Sequence, residues 1–181
     1  MLKRTELPLE LKKFISEDNL IVRHDIPFNI DPSENYNLEA SQGFEMIIFP
    51  IADFYGFAAQ ELHIGHEMIK NALAHGKGRM MYSLFVGEKG LCQSIRDDGD
   101  YFKIPEVKKC WENGEEDILA GRKKIKSLCG GGLGKESIWK LSELIKVDSA
   151  KGILYSANRF NTVLLGSDAK KIKKTLQELL Q

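Results

Sequence analysis

The chain has 181 residues, 43% of them apolar, and its 26 basic and 26 acidic residues leave no formal net charge. That length accommodates one domain with a sizeable core, and a charge of zero gives no general attraction to nucleic acid or to an anionic membrane. The cysteines, Cys92, Cys110 and Cys129, are odd in number and widely spaced, which suits a reducing, cytoplasmic setting rather than a disulfide framework.

The first residues are not followed by an apolar signal core, and the most apolar run, residues 46–53, is too short to span a bilayer and is broken by Pro50 and Asp53. Residues 7–15 carry apolar side chains at helical spacing and predict a short amphipathic helix. Residues 20–26 read as a strand that ends at Pro27. The stretch 31–42 is polar and compatible with loop or helix. From Phe57 to Ala74 the recurrence of Leu62, His66, Ile69 and Leu73 predicts a long helix, stopped by Gly76-Lys77-Gly78.

Residues 80–86 and 91–96 read as two strands joined by a turn at Gly87-Glu88-Lys89-Gly90. Residues 98–127 show no clean period, many charges, one proline and Trp111. A connection of that length usually has a role of its own. Residues 134–146 are expected to be helical, with Ile138, Leu141 and Ile145 on one face. Residues 153–156 and 162–165 are expected to form a second hairpin. Ser167 can cap a last helix with the apolar stripe Ile172, Leu176, Leu179 and Leu180. Antiparallel hairpins alternating with long helices predict an α+β two-layer sandwich, a mixed, mostly antiparallel sheet covered by helices.

Three polar stations stand out on this frame. Glu67 and Asn71, four residues apart, share one helix face. A carboxylate there can accept a proton, and an amide oxygen is a hard ligand that suits magnesium; an ordinary solvated helix face has the same spacing. Asp97 ends a strand and is followed by Asp98-Gly99. A carboxylate there can accept from an exocyclic amine, and Gly99 lets backbone approach a ring; a tight turn after a strand looks the same. Gly130-Gly131-Gly132-Leu133-Gly134 precedes a helix and offers bare amides and a helix amino end to phosphate, with Lys135 adding charge. It is not a P-loop, because Cys129 and Glu136 stand where that motif needs Gly and Ser or Thr. It is not a dinucleotide fingerprint either, because Lys135 stands where glycine is needed and a charged run, residues 122–126, precedes the loop. His63 and His66 are three apart on the helix with no third metal ligand in sight, and a bland helix role is preferred for both.

Taken in order, these stations resemble those of the GHKL ATPase superfamily over roughly residues 20–165. Glu67-x-x-x-Asn71-Ala72 resembles its asparagine box, Ile95-Arg96-Asp97-Asp98-Gly99 its first glycine box, and Gly130-x-Gly132-Leu133-Gly134 its second. Within the superfamily, the run from Glu67 to Gly76 is most similar to the anti-sigma-factor serine kinases, which carry Glu four before Asn and His-Gly after the box. The resemblance implies a Bergerat-type ATP-binding fold over residues 1–181, with 1–19 a helical extension and 100–128 an ATP lid. It implies ATP and Mg2+ as cofactors. Asn71 would hold magnesium, Asp97 and Gly99 would meet the adenine, and Gly130, Gly132, Leu133, Gly134 and Lys135 would meet the phosphates. Glu67 would be the catalytic residue of phosphoryl transfer to a protein serine or threonine. It also implies a regulatory protein partner and allows a homodimer, with no nucleic-acid or membrane partner. A nucleotide-gated switch with slow or no hydrolysis is the alternative. Three departures from the pattern are Tyr101, where the first glycine box usually has its second glycine, Lys135, where an aliphatic residue is common, and a lid longer than expected for a small serine kinase.

Overall fold

The computed structural model describes residues 4–17, 20, 22–29, 58–75, 78–113 and 134–160, together with positions 170, 171, 174 and 178. In chain order the elements are α1 (Leu9–Ile15), β1 (Val22–Asn29), α2 (Ala58–His75), β2 (Arg79–Val86), β3 (Gly90–Asp97), a 3-10 turn (Tyr101–Lys103), α3 (Pro105–Asn113), α4 (Gly134–Leu141), β4 (Leu144–Asp148) and β5 (Ile153–Arg159). The five strands form one sheet in the order β1-β2-β3-β5-β4, and every described pairing is antiparallel. The fold class is therefore α+β. Among the described residues no helix is long and apolar enough to cross a membrane.

Alternation along the central strands sorts their side chains to two cores. One core joins Ile64, Met68, Ile69 and Ala72 of α2 to Tyr82, Leu84, Val86, Leu91, Ile95 and Leu154 of the sheet, with Ile138 of α4 and Val107 and Trp111 of α3. The opposite face places Phe85, Cys92, Ile153, Tyr155 and Ala157 against Leu11 and Ile15 of α1. The helical extension at the amino end is thus seated on the second face of the sheet. Leu11 and Ile15 are fully buried, and each contributes about 1.5–3 kcal/mol by leaving water. Polar ties hold the segment there. Tyr155 Oη donates to the Glu6 carbonyl at 2.8 Å, the Lys89 amide to the Ile15 carbonyl at 2.9 Å, and Ser16 Oγ to Glu88 at 2.8 Å.

Several boundaries differ from the sequence reading, each for a physical reason. Strand β1 runs through Pro27 to Asn29. It ends the described strand order and pairs only with β2 there, and a proline needs no ladder donor on the side away from its partner. The helix expected over 134–146 stops at Leu141, and Leu144–Asp148 is a strand. Ser142 Oγ turns back to the Ile138 carbonyl at 2.6 Å, and the Glu143 amide donates to Asn158 Oδ1 at 2.8 Å, so the chain leaves the helix onto the sheet. The second hairpin is consequently β4–β5, turning at residues 149–152, where Gly152 takes a φ of 66° that side chains resist. The strand expected at 162–165, the stretch 31–42 and most of the last helix lie outside the described residues.

The expected lid also divides. Residues 100–128 lack a clean period in the sequence, yet the 3-10 turn and α3 bury Phe102, Val107, Cys110 and Trp111. Phe102 and Trp111 stack at a tilt with centroids 6.1 Å apart. Glu112 accepts from the Val147 amide at 2.9 Å, tying α3 to β4. Two turns of helix are too short to display a convincing period among lysines and glutamates, although Val107, Cys110 and Trp111 do fall at helical spacing.

Candidate functional site

The site is assembled by two connections. From His75 only residues 76–78 lead into β2, and Gly78 takes a φ of 70° in this turn. Arg79 then closes the mouth of the β2–β3 hairpin. Its carbonyl accepts from the Asp98 amide at 3.1 Å, and the Asp98 carboxylate accepts from the Arg79 amide at 3.3 Å and from Nε at 3.2 Å. Asp97 is in register with Met80. Asn71, one turn before the end of α2, and Asp97, at the end of β3, therefore lie at the same end of the sheet. Gly99 is buried in the bend that follows.

The second connection is lateral. Gln60, Ile64, Glu67 and Asn71 fall at spacings of four, three and four, one stripe of α2. Gln60 Nε2 donates to the Leu141 carbonyl at the end of α4 at 2.7 Å. Ile138, one turn earlier, shares the core of Ile64 and Met68. The two helices therefore lie against one another, with the carboxyl end of α4 at the amino end of α2. Gly134 and the half-buried Lys135 form the amino end of α4, eight residues or about 12 Å of helix from that bond. Gly130, Gly132 and Leu133 lie outside the described residues.

Glu67 is mostly buried, its side chain 17% exposed, and Lys70 Nζ sits 3.0 Å from its carboxylate. Asn71 is half-buried on the same stripe. The arrangement places the Glu67 carboxylate and the Asn71 amide on one stripe of α2, with Asn71 toward the same end of the sheet as the carboxyl end of β3. Such a pair offers hard oxygen donors.

The sequence reading passed over a second polar cluster at the other end of α2. Glu61 is fully buried. Its carboxylate accepts from Gln93 Nε2 at 2.6 Å and from Asn158 Nδ2 at 2.5 Å. Gln93 Nε2 also reaches the Glu61 carbonyl at 3.0 Å, and Gln93 Oε1 accepts from Tyr82 Oη at 2.8 Å. Burial pushes the Glu61 carboxyl up to about 7. The bonds from Asn158 and Gln93 oppose that rise, and the Glu143 charge adds to it. The signal was present in the sequence as two amides, Gln93 and Asn158, on the same strand faces as the core residues Leu91, Ile95 and Leu154, each needing a partner once buried.

Compared with protein-family models and with curated proteins, the chain matches none.

Proposed function

We propose that this is an adenine-nucleotide-binding protein of the GHKL type, its sandwich a Bergerat-type fold, that transfers phosphoryl from magnesium ATP to a protein serine or threonine. The observation carrying the reading is the placement just described. The stripe of α2 that carries Glu67 and Asn71 lies toward the same end of the sheet as the carboxyl end of β3, and α4, which follows the glycine loop, packs against α2; this supports the reading. Asn71 offers one neutral oxygen, which suits magnesium because that ion keeps several waters and takes phosphate oxygens as its other ligands. Bound magnesium ATP would supply the electrophilic phosphoryl group and the neutralisation of its charge.

In this reading Asp97 accepts from the adenine amine, and Gly99 gives the ring room. Gly134 and Lys135 at the amino end of α4, with Gly130, Gly132 and Leu133 before it, receive the phosphates. Glu67 accepts the acceptor hydroxyl's proton as the new oxygen–phosphorus bond forms and the bond to the leaving diphosphate breaks. The Lys70 ion pair favours a second reading. A carboxylate held at 3.0 Å by a lysine suits a nucleotide-gated switch, in which ATP changes partner binding with slow or no hydrolysis. Calorimetric titration of magnesium ATP into the wild type and Asp97→Asn tests the binding core: wild-type binding that weakens in the variant supports it, and no wild-type binding removes both readings. Radiolabelled transfer to co-purified protein then separates kinase from switch.

A further inference from the structure

Residues 4–17 cross the second face of the sheet and are pinned on all four of its sides. Arg4 meets Asp25 of β1 at one edge of the described strand order, with Nε 3.9 Å from the carboxylate, and Glu10 meets Lys146 of β4 at the other edge. Glu17 meets Lys89 in the β2–β3 turn at one end, and Glu6 meets Lys151 at 3.6 Å in the β4–β5 turn at the opposite end. Backbone ties lie between these pins. The Thr5 carbonyl accepts from Arg23 at 2.6 Å, the Glu6 carbonyl from Tyr155 Oη at 2.8 Å, and the Ile15 carbonyl from the Lys89 amide at 2.9 Å.

Beneath the segment lies a core of its own. Leu11 and Ile15, with Leu7 and Phe14 beside them, cover Phe85, Cys92, Ile153, Tyr155 and Ala157. The larger core on the other face draws on α2, α3, α4 and the sheet, and none of residues 4–17 belongs to it. The segment can therefore leave without opening that core. Two polar groups favour its leaving. Thr5 and Ser94 are fully buried, Ser94 on the same face of β3 as Cys92, and neither hydroxyl has a hydrogen-bond partner among the described residues. Lifting the segment returns both hydroxyls to water and restores the backbone freedom of its residues.

We propose that residues 4–17 form an electrostatic strap that lifts from the sheet as a unit while the α2 side of the sandwich stays folded, and that ionic strength sets how often it lifts. The strap's own members of the four ion pairs are between 59% and 85% exposed, so dissolved salt reaches and screens them. The apolar packing of Leu11 and Ile15 resists opening and has no charge to screen. The pins are the part of the attachment that responds to salt.

Cys92 reports the opening. Its thiol is fully buried in the core that α1 covers, so a reagent reaches it when the strap lifts or when the whole chain unfolds. Cys110 supplies the internal control. It is buried in α3, whose Val107 and Trp111 belong to the other core.

The test is alkylation of the full chain with iodoacetamide, a neutral reagent, read peptide by peptide by mass spectrometry. Cys92 is expected to react ahead of Cys110. Its rate is expected to rise roughly five- to tenfold from ~0.01 M to ~1 M sodium chloride, with little change at Cys110. Glu10→Lys sets like charges together at Lys146 and is expected to speed Cys92 about threefold at low salt. Adding Lys146→Glu restores the pair in reverse and should bring the rate back. A Cys92 rate that keeps step with Cys110 in salt and denaturant means that the strap leaves only with global unfolding, and overturns the proposal. So does a Cys92 rate ahead of Cys110 but indifferent to salt. If the charge variants do not fold, the wild-type salt series decides alone. None of these measurements needs nucleotide, so the outcome is independent of the proposed function.

Discussion

Gln60 Nε2 donates to the Leu141 carbonyl at 2.7 Å, and this bond sets which turn of α4 lies beside which turn of α2. It pins the carboxyl end of α4 to the amino end of α2; in the proposed function the amino end of α4, with Gly134 and Lys135, then faces the phosphates. Gln60→Ala is expected to cost about 0.5–1.5 kcal/mol of stability, the usual net worth of such a bond. It should also weaken magnesium ATP binding, because the amino end of α4 loses its reference point. Denaturant unfolding and calorimetric titration on the same preparations check both. A stability loss with unchanged affinity would mean that α4 does not present the phosphate-facing amides.

Gly87 sits where α1 crosses the β2–β3 turn. A Cβ there would run into the Ile15 carbonyl oxygen, a backbone atom that cannot swing aside. Gly87→Ala should therefore lift the end of α1 from the sheet and break the Lys89–Ile15 bond, costing about 1–3 kcal/mol or more. Hydrogen exchange should locate the loss at α1 and the β2–β3 turn and leave α2 protected. Uniform loss across the chain would show instead that the variant destabilises the whole fold.

Much of the central frame was legible because its periods are clean. The β2–β3 hairpin and α2 were readable within one or two residues, since apolar runs there are bounded by Gly-rich turns. The amino end of β4 was not, because Ile145 continues the helical stripe of Ile138 and Leu141, and only pairing with β5 makes it a strand. Glu61 was equally opaque. An acid in the first turn of a helix is ordinarily solvent-facing and dipole-stabilised, and its burial follows from Gln93 and Asn158 waiting on strands that are distant in sequence. Of the candidate site, the sequence supplied the stripe of Glu67 and Asn71; the Lys70 pairing is a matter of rotamer that spacing alone does not decide.

The packing of α3 changes what is expected of the segment after Asp97. Hydrogen exchange without nucleotide should show residues 105–113 protected, since Val107, Cys110 and Trp111 are buried and helical amides there are hydrogen-bonded. Trp111→Ala should cost about 3–5 kcal/mol. Trp111→Phe should cost far less, because the buried indole N–H finds no acceptor among the described residues and its removal relieves that debt. Equal losses for the two variants would indicate that the N–H is satisfied by water or by a ligand.

The ion pair of Glu67 and Lys70 gives the sharpest separation of chemistry from binding. Asn71→Ala should impair magnesium-dependent nucleotide binding and turnover together, because it removes the amide oxygen proposed for the ion. Glu67→Gln keeps the shape of the side chain and should preserve ATP affinity. If Glu67 is the general base, turnover falls by roughly 100-fold or more. Lys70→Ala supplies the third arm. The pair is partly exposed, with Lys70 at 35%, so its loss should change stability by less than about 1 kcal/mol. Freed of the lysine, a catalytic Glu67 should turn over at least as fast as in the wild type. A nucleotide-gated switch would instead keep its ATP-dependent association with a protein partner in Glu67→Gln and show no turnover in any of the chains. ATP affinity, phosphate release and partner association, measured for the wild type and the three variants, distinguish these outcomes. Wild-type turnover that Glu67→Gln leaves intact would assign Glu67 to the helix face with Lys70 and place the base elsewhere.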